Sequence, residues 1–92
     1  MRKEDGFEFE ADNLDHSTAE REISRYCGLT DIQSSGLPWV LSPDKSFHAC
    51  FSAENGSAEC DIIVYNKSKS EEKHEYLYRV SSIEVTQSRR KR

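Results

Sequence analysis

The hydrophobic period of this chain switches twice, and that switch constrains the fold more than any other feature. Phe7-Glu8-Phe9-Glu10-Ala11 alternates apolar and acidic residues, the period of two that marks a half-buried strand. Ala19, Ile23, Tyr26 and Cys27 then recur at the spacing of a helical stripe, with Glu20, Arg21, Glu22 and Arg25 left for solvent. Phe47, Ala49 and Phe51 return to alternation, with His48 and Cys50 on the other face. Such a chain needs a helix lying on strands, so the expected fold class is α+β, an antiparallel sheet with one or two helices packed on one face.

Local signals place the boundaries. Ser17-Thr18-Ala19-Glu20 fits a capping box, which starts the helix at Ser17. Gly28 can adopt the left-handed conformation that stops it, and Leu29 can then fold back on Ile23. Leu37, Trp39 and Leu41 share strand parity, which predicts a short strand with Trp39 in the core, ending at a type I turn over Ser42-Pro43-Asp44-Lys45. Asn55-Gly56 signals a tight turn, and Asp61 to Tyr65 is rich in β-branched and aromatic residues. That favours a strand at 58–65. A helical stripe of Ala58, Ile62 and Tyr65, with Ser52 as cap, competes with it. Lys67 to His74 reads as a polar loop. Tyr76 to Val85 reads as a long last strand whose alternation changes phase at Ser81-Ser82, the mark of a bulge.

Composition bounds the classes of function. The chain has 92 residues, 33% of them charged and 35% hydrophobic, and a net charge of −4, enough for one small domain with a thin core. Residues 1–6 are expected as a flexible N-terminus, 7–86 as the domain and 87–92 as a basic tail. The tail holds Arg89, Arg90, Lys91 and Arg92, so the body is acidic. It lacks the broad attraction for phosphate that non-specific nucleic-acid binding requires. No apolar run approaches a membrane span or a signal peptide, and three cysteines are too few for a secreted disulfide scaffold, so a nuclear or cytoplasmic location is expected.

Few residue sets suggest chemistry. In a hairpin with Asn55-Gly56 at its tip, Cys50 and Cys60 lie across from each other, His48 shares the face of Cys50, and His74 or Cys27 completes a count of four zinc ligands. The spacing lacks a Cys-x-x-Cys knuckle, so unlinked packing thiols are expected ahead of a disulfide, and no metal or other cofactor. No nucleophile–base set, Gly-rich phosphate loop or paired-carboxylate pattern stands out, so no enzyme activity and no small-molecule substrate are expected. Trp39, the sole tryptophan, is the residue type that anchors interfaces and stacks on bases when exposed.

Three segments carry a family resemblance. Ala11-Asp12-Asn13-Leu14, the helix opening His16 to Ile23, and Trp39-Val40 followed by Asp44 and Phe47 to Ser52 resemble the first half of an RNA recognition motif of the atypical kind found in poly(A)-specific ribonuclease. The resemblance covers residues 7 to 52 and implies a helix at 53–65, with a tryptophan at the position of Trp39 stacking on a cap or base. It also places the family's base-stacking aromatics at Glu10, Ser46 and His48, none of which is a strong platform.

These readings converge on a non-catalytic interaction domain that docks a protein partner, or a second copy, through a sheet face or through an exposed edge strand at Tyr76 to Val85. Expected binding residues are Trp39, His48, Tyr76 and Tyr78. The alternative expectation is an RRM-like module that binds RNA or a cap through Trp39 and His48, with Arg89, Arg90, Lys91 and Arg92 on phosphate.

Overall fold

The computed structural model describes residues 2–67 and 75–87. Its elements, in chain order, are β1 (Arg2–Glu4), β2 (Phe7–Ala11), α1 (His16–Cys27), β3 (Gln33–Ser35), β4 (Ser46–Ala53), β5 (Gly56–Asn66) and β6 (Tyr76–Gln87). All strand pairings are antiparallel, in the order β1-β6-β5-β4-β3, with β2 also on β6. The α+β class is as expected, in the form of one helix over a β-meander. Residues 56–66 are strand, where the RNA-recognition arrangement needs a helix. The β-branched run from Ile62 to Val64 prevails because Ala58, Cys60, Ile62 and Val64 all face the helix at period two.

The N-cap of helix α1 lies two residues before the capping-box serine. Asp15 is the N-cap, and its carboxylate accepts from the Thr18 amide at 2.9 Å and the Thr18 hydroxyl at 2.6 Å. Those two bonds hold the Asp15 carboxyl below its usual range. Asp15 has the advantage because a backbone bridge to Val40 also fixes it in place. Glu20 is thereby released from capping and reaches sideways to β3 instead. At the other end Gly28 is left-handed (φ 70°), its amide and that of Leu29 both close on the Ser24 carbonyl, and Leu29 is buried.

The core lies between α1 and one face of the sheet. Thr18, Ala19, Ile23 and Cys27 from the helix meet Ala49, Phe51, Cys60, Ile62, Val64, Tyr78, Val80, Ile83 and Val85. Tyr26, placed in the apolar stripe by its spacing, sits instead at the rim, stacked on Phe7 at 4.1 Å with its hydroxyl on the Asp5 carbonyl. Phe9 stacks in turn on Tyr78 at 4.7 Å. Each aromatic contact contributes about 0.5–1.5 kcal/mol beyond area burial, and the Phe7–Tyr26 stack fastens the helix to the β2 side of the sheet.

Several expectations are corrected. Residues 2–4 form a strand on Ile83 to Val85 rather than a flexible lead-in. Strands β1 and β2 read as one interrupted strand along β6, broken opposite the bulge at Ser82, where φ is 54°. The bulge itself is where the phase change put it. Strand β6 is not an exposed edge, because β5 covers one side and β1 with β2 the other. Residues 37–41 are not a strand. Gly36 (φ 87°) turns the chain away from β4, Pro38 removes a donor, and Val40 and Leu41 bond back to Asp15 and Leu14. Among Leu37, Trp39 and Leu41, only Leu41 is buried and Trp39 is 75% exposed. The Pro43-Asp44 turn is present, but Asp44 has φ 61°, which belongs to type II rather than type I.

The β4–β5 hairpin turns one residue earlier than expected, at Glu54-Asn55. Ala53 pairs with Gly56, and hence Cys50 with Glu59 and Ala49 with Cys60. Asn55 is held there by long-range bonds. Its amide group donates to the Gly28 carbonyl at 3.0 Å and accepts from the Thr30 amide at 2.9 Å, stapling the helix exit to the hairpin tip. Gly56 is required for a different reason, since a Cβ there would collide with the Thr86 carbonyl of β6.

Candidate functional site

Two regions gather the groups with chemical potential. The first is the loop from Gly36 to Lys45, between β3 and β4. Its second half is held by the Val40–Asp15 bridge, the Leu41 amide on the Leu14 carbonyl at 3.0 Å, and the Asp44 amide on the Val64 carbonyl at 2.6 Å. Trp39 and Val40 project from this anchored loop, 75% and 68% exposed. The Trp39 ring meets His16 edge to face at 4.0 Å. His16 Nδ1 donates to Glu20 at 2.9 Å, and that carboxylate also accepts from the Ser34 hydroxyl at 2.5 Å and amide at 3.1 Å. Burial alone would push the Glu20 carboxyl up, but these bonds outweigh it and the net shift is downward. His16 Nε2 is buried without a hydrogen-bond partner among the described residues. A chain of contacts therefore runs from β3 through Glu20 and His16 to the tryptophan.

The second region is the sheet face turned away from the helix. Here β4 presents His48 and Cys50, and β5 presents Glu59 and Asp61. His48 bridges both acids, with Nδ1 to Asp61 at 2.8 Å and Nε2 to Glu59 at 2.9 Å. These two bonds, Asp61 first, raise the His48 pKa above the ordinary histidine value. Cys50 pairs directly with Glu59 across the strands, and His48, Cys50 and Glu59 each offer a ligand atom within 4.8 Å of the others. Further along the same face, Arg79 bonds Glu8 at 2.8 Å and lies over the Tyr65 ring.

The expected binding residues are thus dispersed. Trp39 stands in the loop and His48 on the open face. Tyr76 is half-buried where β6 begins, opposite Ala11 and Asn66. Tyr78 is unavailable to a partner, because it is fully buried with its hydroxyl on the Asn13 carbonyl, and burial pushes its pKa up to about 12. Arg89, Arg90, Lys91, Arg92 and His74 lie outside the described residues. Cys60, expected to face Cys50, is buried on the helix side, where burial pushes its thiol up to about 12. No disulfide links the two.

Sequence reasoning did not select His16, Val40, Glu59 and Asp61. The alternation of Glu59 and Asp61 with Cys60 was visible, but only the correct register sets those acids beside His48 and Cys50. Among the described residues no helix is long and apolar enough to cross a membrane. No protein-family model, curated protein or solved structure matches this chain, so its function is read from the geometry of these two regions.

Proposed function

We propose that this chain is a non-catalytic docking module for a protein segment, with Trp39 and Val40 as the anchor and the neighbouring edge of β4 as the backbone contact. The observation that carries this reading is the exposure of a tryptophan and a β-branched residue side by side on a loop whose backbone is held at Val40, Leu41 and Asp44. An apolar pair held in this way loses little conformational entropy on binding, the condition that makes aromatic anchors effective. The loop leads directly into β4, of which β3 pairs only Cys50 to Ser52. No described strand covers Ser46 to Ala49 on that side, and an extended peptide can add there. On the open face Arg79 is bonded to Glu8, Lys67 to Glu10 and His48 to Glu59 and Asp61, and cations engaged in this way disfavour a polyphosphate ligand.

Peptide-display selection on the full chain supplies ligands, and Trp39, as the sole tryptophan, reports their binding through its own fluorescence. Selected peptides are expected to shift the emission to the blue and saturate, and Trp39→Ala or Val40→Asp, compared with wild type by the fluorescence anisotropy of labelled peptide, is expected to weaken binding at least tenfold while leaving the far-ultraviolet circular dichroism unchanged. Equal affinity for wild type and both variants overturns the anchor. Capped and uncapped RNA titrated at low salt forms the competing arm. Saturable quenching of Trp39 by RNA, with no response to any peptide, replaces protein docking by base stacking.

A further inference from the structure

The open face of the β4–β5 hairpin holds a mixed set of donors that the docking surface does not use. His48 and Cys50 are two apart on β4 and so point the same way, and Glu59 and Asp61 do the same on β5. The register sets Cys50 opposite Glu59 and His48 opposite Asp61, with the Ala49–Cys60 rung between them turned to the other face, so four donor-bearing side chains lie next to one another on one face of the ladder. Their backbone lies in the middle of long paired strands, which fixes the Cβ positions and leaves only side-chain torsions to adjust. Glu59 also faces Glu84 of β6 directly. Lys3 of β1 stands opposite Glu84 on its other side, and His48 already bonds Glu59.

We propose that this face binds a divalent metal ion of borderline softness, zinc being the model, through His48 Nε2, the Cys50 thiolate and a Glu59 carboxylate oxygen. The donor atoms already lie within 4.8 Å of one another. Tetrahedral zinc with sulfur at about 2.3 Å and nitrogen or oxygen at about 2.0–2.2 Å sets its ligands roughly 3.3–3.7 Å apart. Closing that difference is a matter of rotamer adjustment, since all three side chains are exposed. Asp61 completes the arrangement by accepting from His48 Nδ1, which fixes the ring and directs Nε2 to the metal, the usual partnership of carboxylate, imidazole and zinc. The thiolate selects against magnesium and calcium. Binding releases the Cys50 proton, and the Nε2 proton when His48 is charged, to bulk water. The fourth position is left to water or to a donor from a bound molecule.

Cobalt(II) titration of the full, reduced chain tests the site, with zinc added afterwards in competition. One equivalent is expected to give a thiolate-to-cobalt charge-transfer absorption and intense ligand-field bands of a tetrahedral ion, both displaced by zinc. Cys50→Ser is expected to abolish the charge transfer, and His48→Asn and Glu59→Gln to weaken binding at least tenfold. Asp61→Asn, acting only through the imidazole, is expected to cost roughly 10–100-fold in affinity while keeping the charge-transfer band. Because these side chains are exposed, circular dichroism of each variant is expected to match wild type. The site is overturned by charge transfer that persists in Cys50→Ser, by unchanged affinity in His48→Asn, or by no binding at about 100 µM metal, weaker than functional sites of this kind.

Discussion

Cys50 and Cys60 sit ten residues apart on the two arms of one hairpin, and their surroundings have almost nothing in common. Cys60 lies at the centre of the helix-facing side of the sheet among Ala49, Ile62 and Val64, wholly inaccessible, with its thiol pushed up to about 12 by burial. Cys50 lies on the open side, exposed, beside a histidine and a carboxylate. One face of this sheet is a dry core in which a thiol is a small apolar filler. The other is a wet surface on which the same atom is open to reagents and to ions. What separates the two is one residue of register, because a shift by one exchanges the faces of a strand.

Thiol labelling breaks or sharpens that comparison with the largest expected effect. In the native, metal-free chain Cys50 is expected to react promptly with a water-soluble disulfide reagent. Cys60 and the buried Cys27 are expected to react at least a hundredfold more slowly, through opening of the fold, and all three to react at once in denaturant. Prompt reaction of two thiols in the native state refutes the assigned register.

Paired truncations on adjacent residues of β5 come next. Ile62→Ala, on the buried face, is expected to cost about 2–5 kcal/mol in chemical denaturation. Ile63→Ala, half-buried on the open face, is expected to cost about 1 kcal/mol or less. Similar costs at the two positions mean that the open face is itself covered by something.

The smallest effect is electrostatic. In metal-free protein, nuclear magnetic resonance is expected to find His48 titrating above the ordinary histidine value, and Asp61→Asn is expected to bring it back down, since the Asp61 bond is the principal cause of the shift. A histidine pKa raised by folding contributes stability that is fully present below the unfolded value of about 6.5 and disappears as pH rises through the folded value. The bonds are exposed to water, so the readout is the titration rather than the melting temperature.

Much of this molecule was legible because its signals are local. Phe7 to Ala11 is a strand, the stripe from Ala19 to Cys27 is a helix, Gly28 ends it, and Ser81-Ser82 marks a bulge. Each follows from a period or a steric rule that operates within a few residues. Even the N-cap failed by only two positions, when Asp15 gained a fixed backbone through Val40 that Ser17 lacked.

What tertiary structure decided is everything that depends on a partner distant in sequence. The hairpin tip moved to Glu54-Asn55 because Asn55 bonds Gly28 and Thr30, more than twenty residues upstream, and that moved Cys60 inward and drew Glu59 and Asp61 up to His48. Trp39 went to the surface because Val40 and Leu41 were captured by the helix entrance, which broke the parity that placed it in the core. Tyr78 became a core residue rather than a docking residue once β2 paired beside it and Phe9 stacked on its ring. The sequence by itself determined which segments bury an apolar face, since that is written in their periodicity. Which strand is central, which rung faces which, and which aromatic reaches solvent are set by the closure of long-range contacts, and no local period encodes them.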